Sequence, residues 1–247
     1  MSEILHGDCL ELMDYIDSAS IDMILCDLPY GTTACKWDTV IDFTKLWAQY
    51  ERIIKPNGAI VLTASQPFTS ALVMSNAKMF KYEWIWEKNK ASNIFMAKYA
   101  PMKKHESVLV FYKKVPTFNA IKVPRSESGK NRAKYVHNPS NTGKRDFING
   151  FEQTEIIKYQ EDLKNPESII YFNNQVGMHP TQKPVALFEY LIKTYTNAGD
   201  IVLDNCAGSG TTAIACINTG RDYIVMEQDD KYFEIMGARI TEHAELF

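Results

Sequence analysis

Apolar and polar positions follow two different periods over the first hundred residues. Short apolar runs, "EILHG" (3–7), "IDMILCD" (21–27) and "AIVLTA" (59–64), read as strands. Between them "CLELMDYI" (9–16), "FTKLWAQYERIIKPNG" (43–58) and "PFTSALVMSNAKMF" (67–80) show helical spacing, the second closed by Pro-Asn-Gly. "YEWIWEK" (82–88) and "SVLVFYKK" (107–114) are two further strands, expected to pair antiparallel at a sheet edge, with Trp84, Trp86, Phe111 and Tyr112 in the core. From Val115 to Met178 the patterning fades into Lys, Arg, Asn, Ser, Gly and Pro, the composition of an insertion or a functional loop region. It resumes at 179–196, where Val185, Leu187, Phe188, Leu191 and Ile192 mark one helix face. Strand "DIVLDN", loop "CAGSG", helix "TTAIACINTG", strand "DYIVME" and a helix from about Asp229 to Ala244 complete the chain. Such alternation predicts an α/β fold with a parallel sheet covered on both faces.

At 247 residues and 45% hydrophobic content the chain has the composition of an ordinary globular protein with a sizeable core. Its start is acidic and interrupted, unlike a secretory signal, and no apolar run suits a membrane span, so a cytoplasmic location and no membrane partner are expected. Cys9, Cys26, Cys35, Cys206 and Cys216 form no Cys-x-x-Cys pair, which argues against a disulfide framework or a metal site and leaves them as buried or incidental thiols. The net charge of −3 hides a polarity: Lys78 to Asp146 holds 16 basic against five acidic residues. That middle is what a local polyanion-binding surface requires.

Two stretches carry candidate chemistry. "ILCDLPYG" (24–31) begins as a buried strand and stops on a carboxylate, an imide ring and a phenol, at a strand end where α/β proteins build sites. Taken alone it also suits a Pro turn. "IVLDNCAGSGTTA" (201–213) runs from a strand through a glycine turn into a helix of small residues, with Gly208, Gly210 and Ala213 in the G-x-G-x-x-A spacing and Glu227 at the end of the next strand, where a ribose-binding acid sits. A packing turn is the alternative; a phosphate-binding P-loop is excluded by the missing Gly-Lys-Ser/Thr. Asp204 beside the loop repels a pyrophosphate and attracts a sulfonium or amino group, which favours S-adenosylmethionine over a nicotinamide dinucleotide.

With these residues in view the chain resembles the amino-methylating DNA methyltransferases of the beta arrangement, in which a tetrapeptide Asp/Asn/Ser-Pro-Pro-Tyr/Phe comes first, a target-recognition region second and the cofactor loop last. The matching stretches here are "GDCLELM" (7–13), "DLPY" (27–30), "KHESVLVFYKK" (104–114), the basic middle, "HPTQKPVALFEYLI" (179–192) and "DNCAGSGTT" (204–212). The resemblance implies a doubly wound Rossmann-like α/β sheet with an inserted DNA-recognition region. Residues 1–114 form its catalytic half, 115–178 the target-recognition insertion and 179–247 the cofactor half. It implies methyl transfer from S-adenosylmethionine to the N6 amino group of a flipped adenine in a specific DNA sequence, Asp at the head of the tetrapeptide favouring adenine over the N4 of cytosine.

By the same resemblance, Asp27 and the Leu28 carbonyl accept from the amino group, Pro29 fixes the turn and Tyr30 stacks on the extruded base. Leu28 departs from the family's proline; its carbonyl survives, so activity is expected to persist. Asp204, Cys206, Gly208 and Gly210 line the methionine end of the cofactor, Glu227 takes the ribose, Asp8 faces the adenine, and Cys9 and Thr211 are further cofactor-binding residues. Thr181 and Lys183 close the pocket. Asp8 and Thr181 serve equally as a helix cap and a turn residue, and His179 reads as a turn residue. Lys122, Arg125, Lys130, Arg132, Lys134, Lys144 and Arg145 are candidate contacts to phosphates of double-stranded DNA, with Asn131, Asn138 and Asn141 as candidate base readers. A companion restriction endonuclease fits this reading, as does either a monomer or a homodimer. Other classes stay open at this point: a nicotinamide-dependent oxidoreductase supported by the glycine loop alone, a non-catalytic DNA-binding protein hinted at by Leu28, and an RNA substrate.

Overall fold

A computed structural model describes residues 2–32, 38–136, 162–175 and 182–245, with the backbone alone given for Met96 and for 132–136. Two units emerge: Met1–Asn119 with Ser168–Phe247, and Ala120–Glu167.

The larger unit is built on one eight-stranded sheet. Its strands are β1 (Glu3–His6), β2 (Ile21–Cys26), β3 (Ile54–Ala64), β4 (Phe80–Ser92), β5 (Lys103–Phe111), β8 (Ile169–Phe172), β9 (Ile201–Asp204) and β10 (Asp222–Glu227), in the spatial order β1-β10-β9-β2-β3-β5-β4-β8. The five from β1 to β3 in that order are parallel, β5 runs antiparallel to both β3 and β4, and β8 pairs parallel with β4. All five parallel strands therefore end on one edge of the sheet. The start of β5 and the end of β4 lie on that edge as well.

From Met23 to Cys26 central β2 is apolar without alternation because both of its faces are covered. Met23 and Leu25 pack beneath α5 (Val185–Tyr195), α6 (Thr211–Thr219) and α7 (Asp230–Ala244). Ile24 and Cys26 face α1 (Cys9–Met13), α2 (Phe43–Ile53) and α3 (Phe68–Ser75). On α2 the buried residues Leu46, Trp47, Tyr50 and Ile53 keep the expected three-to-four spacing. Trp84, Trp86 and Phe111 are core residues, and Tyr112 packs against the core partly buried.

Two boundaries differ from the sequence expectation. β3 starts at Ile54, directly after α2, because Ile54 pairs with Ile21 ahead of a register break, so the Pro-Asn-Gly lies inside a strand. The expected insertion of 115–178 is wider than the small unit, since residues 168–175 contain β8, which hydrogen-bonds to β4 in the main sheet.

The small unit contains β6 (Val123–Pro124) paired antiparallel with β7 (Leu163–Lys164), and α4 (Glu127–Val136). Within it the Arg125 Nε donates to the Leu163 carbonyl at 2.8 Å, and Lys130 reaches Glu127 at 2.8 Å and Asp162 at 3.7 Å. Among the described residues, no helix is long and apolar enough to cross a membrane.

Candidate active site

The turn Asp27-Leu28-Pro29-Tyr30 leaves β2 at the shared strand edge. Register pairs Cys26 with Leu62, which sets Asp27 beside Thr63 of β3. Asp27 Oδ1 accepts from the Tyr30 hydroxyl at 2.7 Å and from the Thr63 hydroxyl; Oδ2 accepts from Lys183 Nζ at 2.6 Å. After Tyr30 the chain is clamped by Asp38, whose two carboxylate oxygens accept from the Gly31 and Thr32 amides at 2.8 and 2.9 Å. Gly31 has φ +67°, and a Cβ there would lie 2.9 Å from Val40, so glycine is required by both conformation and space. Leu28 turns its side chain down into the core that β2 shares with α1, α2 and α3, and is 3% exposed. One face of the Tyr30 ring stacks on Phe68 with centroids 5.0 Å apart.

Lys183, just ahead of α5, is buried and extends the network. Its ammonium lies 3.5 Å from Glu106 Oε2, an ion pair looser than a hydrogen bond, and Glu106 Oε1 accepts from Lys88. The result is a chain of alternating charge, Asp27, Lys183, Glu106, Lys88, crossing from β2 to β4. Burial by itself would lower the Lys183 pKa, but Asp27 and Glu106 outweigh it and hold the pKa above its ordinary value. Burial would likewise raise Glu106; Lys183 and Lys88 prevail and hold it below its ordinary value. Burial, with the carboxylates of Asp27 and Glu106, raises Tyr30 well above the usual phenol range, so its hydroxyl stays protonated and donates.

The glycine loop is organised differently. Asp204 is buried at the end of β9; Oδ1 accepts from the Cys206 amide at 3.0 Å and Oδ2 from the Thr212 hydroxyl. Burial pushes its carboxyl up to about 6. Glu227, ending β10, accepts from the Gly208 amide at 2.8 Å and the Asp229 amide at 2.9 Å, and burial raises its pKa too. Gly210 opens α6 at φ +80°, with Met236 2.8 Å from where a Cβ would stand, which ties the turn to α7. Asp8 caps α1, accepting from the Leu10 amide at 2.8 Å, and the Gly7 amide donates to the Glu227 carbonyl at 3.1 Å. The thiols of Cys9 and Cys206 both receive the Asn205 side-chain amide at 3.4 Å. Cys26 is buried beside them, and burial raises its thiol to about 12. Of these three thiols, Cys9 and Cys206 line the site, as expected of cofactor-side residues, and Cys26 is buried, as expected of a core thiol.

One cavity of about 890 Å³ joins the two ends, lined by Asp27, Leu28, Pro29, Tyr30, Glu106 and Lys183 on one side and by Asp8, Cys9, Asp204, Cys206, Gly208, Thr211 and Glu227 on the other. Gly210 stands at the loop's base, facing α7. Thr181, His179, Lys144, Arg145, Asn138 and Asn141 lie outside the described residues, and of Arg132 and Lys134 only the backbone on α4 is given. Lys122 and Asn131 are exposed, whereas Arg125 and Lys130 spend their side chains inside the small unit. Thr63, Lys88, Glu106 and Asp38 were missed as site residues. A period-two reading from Trp84 and Trp86 puts Lys88 on the buried face, which was the available signal for it.

The cavity suits a nucleoside-sized cofactor together with a base, and its acids suit a cationic one. The family model of the DNA methylases, N6 and N4 amino-methyltransferases, matches residues 21–237, from the start of β2 into α7. The chain belongs to the DNA methylase family. Both the Asp27 turn and the glycine loop lie inside the matched span; Asp8 and Cys9 precede it. Among relatives of the family, the chain is 30% identical to DNA adenine methyltransferase YhdJ of Escherichia coli K12, over 96% of this chain and 81% of that protein. It is 27% identical to type II methyltransferase M.HpaI of Haemophilus parainfluenzae, covering 96% and 73%. In three dimensions it resembles the crystal structure of the M1.HpyAVI–SAM complex, with a TM-score of 0.65 and 25% identity over 97% and 99% of the two chains.

Proposed function

We propose that this DNA methylase transfers a methyl group from S-adenosylmethionine to the N6 amino group of adenine in duplex DNA. The observation that carries the reading is the single cavity joining the Asp27 turn to an acid-lined glycine loop. The aspartate heading the tetrapeptide and the similarity to a protein named as an adenine methyltransferase favour adenine.

When bound, the cofactor supplies a methyl carbon made electrophilic by its sulfonium. Glu227 and Asp8 hold the nucleoside end, Thr211, Cys206 and Gly208 line the methionine end, and Asp204 fixes the loop through Cys206 and Thr212 while adding negative charge. Thr181 belongs to the same proposed set.

At the other end the amino nitrogen must be made nucleophilic, because its lone pair is delocalised into the purine. Asp27 and the Leu28 carbonyl accept its two hydrogens and draw that lone pair out of conjugation with the ring, an arrangement matched to the charge that develops in transfer. An ionised carboxylate has about four acceptor directions, and Tyr30, Thr63 and Lys183 occupy three of those on Asp27. That leaves one on Oδ2 for the amine. The proton that the amine would lose on methylation would pass to the Asp27 carboxylate through this acceptor. Tyr30 offers its ring to the base, Pro29 holds the turn, and Lys183 positions Asp27 while Glu106 and Lys88 position Lys183.

The small unit is proposed as the target-recognition region, with Lys122, Arg132, Lys134, Lys144 and Arg145 toward phosphates and Asn131, Asn138 and Asn141 toward bases. Arg125 and Lys130 belong to the same proposed set, held by partners inside the small unit. Incubation with labelled S-adenosylmethionine and mixed-sequence duplex DNA, followed by nucleoside analysis, tests the reading. Label in N6-methyl-deoxyadenosine is expected; label on cytosine overturns the base, and none in DNA overturns the function. Protection of the mapped site against an endonuclease of the same specificity tests membership of a restriction–modification pair.

A further inference from the structure

The loop between β4 and β5, residues 93–102, has no part in the roles above, yet it leaves the same edge of the sheet. Ser92 and Lys103 pair at its root, and Ser92, Asn93 and Lys103 line the cavity that contains Asp27. Asn93, at φ +65°, turns the chain out of the strand, a conformation asparagine tolerates better than most residues. Beyond it the loop holds large apolar side chains in water: Phe95 is 93% exposed, Tyr99 82% and Ile94 69%. Clustered exposure of this kind beside a site marks a contact surface.

The surrounding charge identifies the occupant. Residues 88–105 include Lys88, Lys90, Lys98, Lys103 and Lys104 and no acid. Lys88 is spent on Glu106 and Lys104 pairs with Glu87 at 2.8 Å, but Lys90 and Lys98 are exposed. An apolar tip on a collar of lysines is complementary to a polyanion with an apolar interior, which is the stacked duplex between its phosphates. A base that reaches Asp27 must leave the stack, and the gap it leaves is filled at least cost by an apolar side chain.

We propose that Phe95, backed by Ile94, enters the duplex at the target base pair and holds the emptied position open, with Lys90 and Lys98 on the flanking phosphates. This rests on the DNA methyltransferase reading above. The test uses the full chain and a short duplex around a site first mapped on unmethylated plasmid DNA, with the target adenine opposite either thymine or an abasic position. Phe95→Ala is expected to lower kcat/KM on the paired duplex by about tenfold, and to stay within about twofold of the wild type on the abasic duplex, where no pair has to be opened. Phe95→Leu, which keeps an apolar wedge, is expected to retain most of the paired-duplex rate.

Equal losses on both duplexes, or no loss on either, would overturn the wedge while leaving the methyltransferase reading intact. Failure of the wild type to methylate any plasmid DNA would instead overturn that reading, and the wedge with it. An unchanged rate on paired duplex combined with loss of self-association in Phe95→Ala would assign the loop to contact with a second copy of the chain.

Discussion

At the β2 end of the cavity carboxylates alternate with ammonium groups, whereas at the β9–β10 end Asp204 and Glu227 meet amide, hydroxyl and thiol donors. Both ends are buried, and burial pushes every acid in the same direction, toward protonation. The cations reverse that push at Glu106, while at Asp204 and Glu227 it stands. The difference suits the two proposed tasks. A network balanced in charge fixes an acceptor and holds its geometry. A loop whose acids, among the described residues, lack a cation of their own keeps negative potential for a positively charged ligand, and its own structure leaves that charge partly uncompensated.

The contrast is tested most severely at Asp27. Asp27→Ala should cut methyl transfer by about 10²- to 10³-fold or more, with cofactor affinity by calorimetry nearly unchanged; a parallel loss of affinity would mean that the two ends are not separate. Removing the cation instead, in Lys183→Met, leaves Asp27 and Glu106 facing one another, and should lower unfolding free energy by about 3–5 kcal/mol as well as slowing transfer. Adding Glu106→Gln to that variant should recover part of the stability, a non-additivity visible in denaturant melts.

At the other end, Glu227→Ala should weaken S-adenosylmethionine by about 10- to 100-fold, the worth of a hydrogen bond to a charged group, with little effect on the rate at saturation. The smallest effect is in pH. A cation binds the ionised carboxylate, so affinity should decline as pH falls through about 6, the value to which burial raises Asp204, and Asp204→Asn should flatten that decline. Lys183 and Glu106 are shifted away from neutrality and should add no titration there. A titration that survived in Asp204→Asn would move the effect to Glu227.

What could be read along the chain was what depends on neighbours in sequence. Asp27 follows a continuous apolar run, and Gly208, Gly210 and Glu227 stand in one strand–turn–helix–strand unit, so each of these positions was legible without the fold. Lys88 and Glu106 were not, because they meet only through the β4–β5 pairing, and Thr63 reaches Asp27 only through the β2–β3 register. Lys183 was expected at the cofactor; its ammonium is on Asp27, from a residue 156 positions away. Strand β8 escaped because a four-residue strand of one buried position, Ile170, lacks a period to detect. Arg125 and Lys130 were legible as candidate phosphate contacts by charge, and charge along the chain does not reveal that they also meet Leu163, Glu127 and Asp162.

Leu28 changes what the tetrapeptide depends on. A proline at that position would restrict the turn through a covalent ring, and that restriction would persist on heating. Here the side chain is anchored in the core beneath β2, so the restraint is one of packing. Packing loosens as the core expands, and the Leu28 carbonyl depends on that layer more than Asp27 does, whose carboxylate Tyr30, Thr63 and Lys183 also hold. The upper temperature at which this chain can work is therefore tied to the integrity of one hydrophobic layer, and warming should blur the catalytic turn before the sheet itself comes apart.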